Sequence, residues 1–278
     1  MKYFLIAGEA SGDLHGGGLI KALREIDSDA RFCFLGGDFM ENASGVKPVV
    51  HYKRMAYMAF SEVLRHLPDI LGNMRAARKA LDDFAPDAVI LIDYPSFNLK
   101  IAKYAFGKGL PVYYYISPKV WAWKEWRVKD IRKYVRKVFS ILPFETDFYA
   151  RHGVEADYMG NPTANEIAEF KLNVPDFLAF MEKHGIRDRR PVIALLPGSR
   201  AGEIRNNLPV MYKAAARFPD FQPVVAAAPN IDSDFYSAVL KNKGMDVHPL
   251  LVENDTFALV ANSAAALVTS GTATLETA

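Results

Sequence analysis

The chain has 278 residues, half of them apolar and 24% charged, with a formal net charge of +2. That is enough for two ordinary soluble domains and too little positive charge to argue for a nucleic-acid partner. The single cysteine, Cys33, excludes a disulfide framework and a thiolate-rich metal site and fits a reducing compartment. The apolar stretch 3–7 is too short for a secretory leader and no run is long enough to cross a bilayer, so the expectation is a cytosolic chain able to visit a membrane face.

Residues 3–7 predict a first strand, followed by the turn Gly8-Glu9-Ala10-Ser11-Gly12-Asp13 and a helix over 14–26. The turn is glycine-rich but fits neither the GxGxxG spacing nor a Walker A loop. Glu9, Ser11 and Asp13 are expected to project from the carboxyl end of the strand, where open α/β sheets hold ligands; the alternative is a side-chain-capped helix start. A second strand over 31–35 ends at Gly36-Gly37. Across 52–71, Met55, Tyr57, Met58, Phe60, Val63, Leu64 and Leu67 gather flexible and aromatic apolar side chains. They suit acyl chains or, equally, the core face of an amphipathic helix.

The clearest strand, 87–92, stops at Asp93, and Tyr94-Pro95-Ser96-Phe97-Asn98 leads into a helix near Leu99. A carboxylate at the carboxyl tip of a central parallel strand lies at the ligand crevice and suits a general base, while Pro95 makes it a poor cap for the next helix. Asn98 is grouped with Glu9, Ser11 and Asp13 on the acceptor side. After a strand over 111–115, Ser117-Pro118-Lys119-Val120-Trp121-Ala122-Trp123-Lys124-Glu125-Trp126-Arg127 holds all three tryptophans, Trp121, Trp123 and Trp126, among basic residues that continue to Lys137. On a helix this pattern suits an anionic membrane interface or a phosphorylated lipid, or a core stripe under a solvated basic face. A strand over 138–142 reads as the last of the first domain. Periodicity weakens after 160–163, and 165–175 reads as a crossover, dividing the chain into 1–165 and 166–278.

The second part alternates again: strand 192–196, helix 203–217, strand 222–228, helix 233–243, then strands 246–250 and 265–269. Two doubly wound parallel sheets facing a cleft follow from this alternation. The first of these strands stops at Pro197-Gly198 and is followed by Ser199 and Arg200, a tight turn whose exposed N–H groups and guanidinium suit an anion site; the alternative is a βα turn whose Arg200 is merely solvated. The last ends in Ser270-Gly271-Thr272-Ala273-Thr274-Leu275-Glu276. Gly271 lets a ligand approach the backbone, the Ser270–Thr272 hydroxyls and amides suit phosphate, and Glu276 either reaches a ribose or is an ordinary first-turn carboxylate favoured by the helix dipole. Together these suggest a nucleoside diphosphate. Asp27-Ser28-Asp29 and Asp232-Ser233-Asp234 match a metal-binding DxD, but the first points away from the crevice and the second reads as a helix cap, so no metal and no cofactor is expected.

GEASGD (8–13), the EVL segment around Glu62, IDYPSFN (92–98), SPKVWAW (117–123), LPFE (142–145), GNP (160–162), LPGSR (196–200) and SGTATLE (270–276) resemble, in order and along essentially the whole chain, the lipid-A-disaccharide synthase family of bacterial glycosyltransferases. The resemblance implies a GT-B fold with acceptor and lipid bound by the first domain and nucleotide by the second. It implies metal-free, inverting transfer of 2,3-diacylglucosamine from UDP to the 6-hydroxyl of 2,3-diacylglucosamine 1-phosphate, at the inner face of the bacterial inner membrane. Asp93 is then the base, Arg200 and the 270–272 amides hold the departing diphosphate, and Glu276 holds the ribose. The chain departs from the family at Ser96, where a second aspartate is frequent, and at Asn161, where histidine is common. It also ends at Ala278, short of the family's length, which implies an incomplete second sheet, impaired activity, and the loss of segments exchanged in a homodimer. Two other classes share these features: another UDP-sugar enzyme such as a UDP-N-acetylglucosamine epimerase, and a non-catalytic UDP-sugar or lipid-binding protein.

Overall fold

A computed structural model describes residues 1–55, 67–229 and 231–278. In the first unit, Met1–Pro162, the apolar runs become parallel strands because each must be covered on both faces. They are β1 (Lys2–Ala7), β2 (Arg31–Gly36), β3 (Val50–His51), β4 (Ala88–Ile92), β5 (Val112–Tyr115), β6 (Lys137–Ser140) and β7 (Ala156–Tyr158), in the order β3-β2-β1-β4-β5-β6-β7. The helices are α1 (Ala10–Ile26), α2 (Asp38–Ser44), α3 (Leu67–Phe84), α4 (Pro95–Gly107), α5 (Val128–Tyr134) and α6 (Pro143–Arg151), with single 3-10 turns at Tyr52–Arg54 and Glu125–Arg127.

The two-residue period of β1 sorts its side chains between two cores. Phe4 and Ile6 join Leu35, Val89 and Leu91 on one face, and Leu5 and Ala7 join Phe34, Ile90 and Ile92 on the other. Strand order reverses between β1 and β4, which pair from Tyr3↔Ala88 to Ala7↔Ile92. Ligand crevices of open α/β sheets form beyond such switch points. Here the crevice is framed by the two turns that leave β1 and β4.

The second unit, Thr163–Ala278, has β8 (Val192–Leu196), β9 (Gln222–Ala227), β10 (Leu250–Glu253) and β11 (Ser263–Val268), all parallel, in the order β10-β9-β8-β11. Its helices are α7 (Pro162–Lys171, beginning at the boundary), α8 (Phe177–Lys183), α9 (Ala201–Ala215), α10 (Ser233–Lys241), α11 (Thr256–Ala261) and α12 (Thr272–Thr277). Order reverses between β8 and β11, which pair from Ser263↔Val192 to Val268↔Leu196.

Four local expectations change. β7 follows the strand read as the first unit's last. The strand expected over 246–250 begins only at Leu250, because Pro249 has no N–H to give a ladder. β11, expected to be buried, is an edge strand with partly exposed side chains and β8 as its neighbour. The tryptophan segment has no α-helix before Val128, only the 3-10 turn at Glu125–Arg127, since Lys124 takes a left-handed backbone (φ 61°) and Pro118 interrupts the run.

Candidate functional site

β4 delivers Asp93 into a turn where it and Tyr94 both adopt left-handed backbone, at φ 39° and 46°. Each such residue costs about 1 kcal/mol or more, and persists only where its surroundings enforce it. The enforcement is visible. Asn98, fully buried in α4, donates from Nδ2 to the carbonyls of Ile92 (3.1 Å) and Asp93 (2.8 Å), and the Tyr114 hydroxyl donates to the same Asp93 carbonyl at 2.5 Å. Burial, with the Asp93 charge adding to it, holds the Tyr114 phenol well above its ordinary pKa, so it remains a donor. Asn98 therefore fixes Asp93 from beneath and does not line the crevice. Asp93 itself is exposed.

Across the switch point, Glu9 and Ser11 are half-buried at the start of α1, where Glu9 makes no side-chain cap. Asp13 corrects its assignment to the crevice. It is 1% exposed, and its carboxylate accepts the amides of Gly37 (2.6 Å), Phe39 (3.0 Å) and Met40 (3.2 Å) at the start of α2. Burial pushes this carboxyl above the usual range against the pull of those N–H groups. Its work is structural.

The lipid-contact expectations divide. Met55 is 1% exposed and part of the core, not of a surface. Met58 and Phe60 lie outside the described residues. Trp121 is an anchor: its Nε1 donates to the buried Glu145 at 2.9 Å and its ring meets Phe144 edge-on at 4.9 Å. Trp123 and Trp126 are 65% and 62% exposed, with the Lys124 ammonium 3.9 Å from the Trp123 ring centroid and the Arg127 guanidinium 5.6 Å from that of Trp126. Arg127 also donates to Ser96 Oγ at 2.9 Å, tying this segment to the Asp93 turn. Trp126 lines a groove of 920 Å³ with Lys129, Arg132, Lys133 and Arg151, and with Glu125, whose carboxylate meets His152 Nε2 at 3.0 Å.

In the second unit the turns after β8 and β11 lie on neighbouring strands, as their pairing requires. Asn207 ties them, donating from Nδ2 to the Pro197 carbonyl (3.3 Å) and Thr269 Oγ1 (3.0 Å). Gly198 sits at φ 116°, and a side chain there would press on Glu203. The Glu203 carboxylate already occupies the turn's anion position, accepting the Ser199 amide at 3.1 Å and pairing with Arg200 at 2.9 Å. Sequence reading missed this carboxylate, although its place one turn after Ser199 was a signal. Ser270 and Gly271 are exposed, and Gly271 takes φ 155°, ψ −155°, a region open to glycine alone, to start α12 at Thr272. Glu276, half-buried, lies in the second turn of α12. Asp232 caps α10 by accepting the Asp234 amide at 3.0 Å, and Asp27 accepts the N-terminal ammonium at 2.6 Å.

Residues 3–278 match the family described as lipid-A-disaccharide synthetase. The lipid-A-disaccharide synthase of Myxococcus xanthus is 41% identical over 280 residues, covering 99% of this chain and 71% of that protein. The enzyme of the same name from Acidobacterium capsulatum is 38% identical, covering 99% and 70%. Among solved structures, UDP-GlcNAc 2-epimerase of Neisseria meningitidis bound to UDP-GlcNAc superposes with a TM-score of 0.66 at 14% identity, covering 98% of this chain and 78% of its own. The Methanocaldococcus jannaschii epimerase in complex with UDP-GlcNAc and UDP gives 0.66 at 15%, covering 98% and 79%. At such identities the likeness is one of fold, the two-domain GT-B class.

Proposed function

The chain belongs to the lipid-A-disaccharide synthase family of glycosyltransferases, and from that premise we propose how its residues divide the reaction. The substrates are UDP-2,3-diacylglucosamine and 2,3-diacylglucosamine 1-phosphate. Asp93 accepts the proton of the acceptor's 6-hydroxyl as that oxygen attacks the donor's anomeric carbon from the face opposite UDP. The bond to UDP breaks and configuration inverts. Negative charge grows on the departing diphosphate, and preorganised donors aimed at such charge supply most of the stabilisation. Arg200 with the Ser199, Ser270, Gly271 and Thr272 groups fills that role, and Glu276 holds the ribose. Binding requires Glu203 to share Arg200 with the diphosphate. Glu9 and Ser11 face the acceptor from the turn after β1. The acyl chains of both substrates bring the enzyme to a membrane face, and the exposed Trp123 and Trp126 beside the basic groove are its contact there.

The observation that carries this reading is the joint one: a family match over residues 3–278, and a carboxylate at the tip of β4 beside the strand-order switch. Asp93→Asn tests it. Transfer is expected to fall by at least a thousandfold while calorimetric affinity for UDP is retained; turnover equal to wild type would remove Asp93 from the chemistry.

A further inference from the structure

We infer that Tyr94 is a positioning residue for the Asp93 carboxylate, its ring clamped between Gly8 and the Met55 carbonyl so that the left-handed turn is held in one orientation. This rests on the reading of Asp93 as the base.

The clamp is made of three contacts from three parts of the chain. A Cβ on Gly8 would lie far inside van der Waals contact with the ring, 2.3 Å from both Cγ and Cδ1 of Tyr94, so the ring fills the space that any side chain at residue 8 would take. The phenol donates to the Met55 carbonyl at 2.6 Å. Phe97, in the first turn of α4, backs the ring at 5.8 Å between centroids. The far end of the clamp is itself fixed. Met55 is buried in the core, and the carbonyl of Arg54 beside it accepts Asn73 Nδ2 at 2.8 Å.

At φ 46°, Tyr94 can relax toward the common backbone regions only by withdrawing its ring from Gly8 and its hydroxyl from Met55. Asp93 precedes it directly at φ 39°, so the peptide plane between them cannot turn without moving both. Asn98 and Tyr114 hold the Asp93 carbonyl from below, and Tyr94 supplies the constraint from the side of the β1 turn. The Asn98 and Tyr114 bonds engage the main chain of the turn, and the Tyr94 side chain ties it to the Met55 carbonyl. Gly8 of the GEASGD motif thus has a role apart from ligand approach: it is the seat of the Tyr94 ring.

The test is steady-state transfer kinetics with calorimetric UDP binding and thermal unfolding on Tyr94→Phe, Gly8→Ala, Tyr94→Ala and the Gly8→Ala/Tyr94→Ala double variant, with Asp93→Asn as control. Tyr94→Phe is expected to lower kcat roughly 5- to 10-fold, the worth of one hydrogen bond, with acceptor KM changing less and UDP affinity unchanged. Gly8→Ala is expected to lower kcat on the order of 100-fold through a displaced base. That loss should largely vanish in the Tyr94→Ala background, because there is no ring left to displace. A merely structural role would lower the unfolding midpoint and leave kcat of the folded enzyme intact. Wild-type kcat for Tyr94→Phe, or losses for Gly8→Ala and Tyr94→Ala that multiply, overturns the inference; should Gly8→Ala fail to fold, Tyr94→Phe decides alone. An Asp93→Asn enzyme that transfers normally removes the base reading and this inference with it. An inactive Asp93→Asn enzyme beside an unimpaired Tyr94→Phe enzyme removes the inference alone.

Discussion

The Asp13 carboxylate lies 2.6 Å from the Gly37 amide, joining the first turn of α1 to the turn after β2. With Phe39 and Met40 it closes the start of α2 from outside that helix. Replacing Asp13 by Ala leaves three amides without their acceptor in a site where Asp13 is 1% exposed. We expect a loss of roughly 2–4 kcal/mol in unfolding free energy, read by denaturant titration, with kcat of the remaining folded enzyme little changed. Unaltered stability would show that water satisfies those amides equally well.

Arg200→Ala removes charge-assisted hydrogen bonds from the proposed diphosphate site. UDP affinity should weaken about 10- to 100-fold while ADP, used as control, stays weak throughout. Gly198→Ala acts on the same site by another route. A methyl group at φ 116° and 2.5 Å from Glu203 Oε2 must shift the turn that carries Ser199 and Arg200. Both stability and UDP binding are therefore expected to fall, whereas Gly202→Ala, which meets open space within α9, should lower neither. Equal UDP affinity in Arg200→Ala and wild type would place the diphosphate elsewhere.

Three tryptophans in one short segment should respond differently. Trp121→Phe strands the buried Glu145, and a loss of roughly 2–3 kcal/mol of stability is expected. Trp123→Ala and Trp126→Ala should each change stability by less than about 0.5 kcal/mol, but should reduce partition onto vesicles containing anionic phospholipid. Lys129→Gln/Arg132→Gln in the groove beside Trp126 should reduce that partition further, by about 5-fold per cation, while neutral vesicles should bind this charge variant like wild type. Undiminished binding to anionic vesicles would exclude this face from membrane contact.

Asp255 accepts Lys183 Nζ at 2.7 Å and His184 Nε2 at 2.9 Å. Burial works to raise its carboxyl, but the hydrogen bonds and charges of these partners prevail and hold it below the ordinary value of 3.8. A depressed folded-state value means the native state releases this proton more readily than the unfolded chain. The stabilisation is therefore present above the unfolded value and lost as pH falls through the lowered one. Asp255→Asn should cost about 1–2 kcal/mol at neutral pH, and acid titration of both proteins should bring their stabilities together as pH falls through the lowered folded-state value. A gap that persists undiminished in acid would mean that packing, not charge, is what Asp255 contributes.

Much of the architecture was legible in local chemistry. Buried parallel strands are continuous apolar runs ended by turn residues, so 88–92 and 192–196 stand out, and the carboxylate of Asp93 and the turn of Gly198-Ser199-Arg200 follow at their carboxyl ends by construction. Gly271 likewise marked its own turn, since only glycine occupies that backbone region. What local chemistry left open was direction and company. Asp13 and Asp93 are both carboxylates shortly after central strands, yet one is consumed by amides 24 or more residues away and the other is exposed. Trp121, Trp123 and Trp126 differ only in whether Glu145 and Phe144 lie within reach. Whether a polar side chain serves the fold or the reaction depends on partners brought near by strand order, and strand order is settled by packing over the whole sheet.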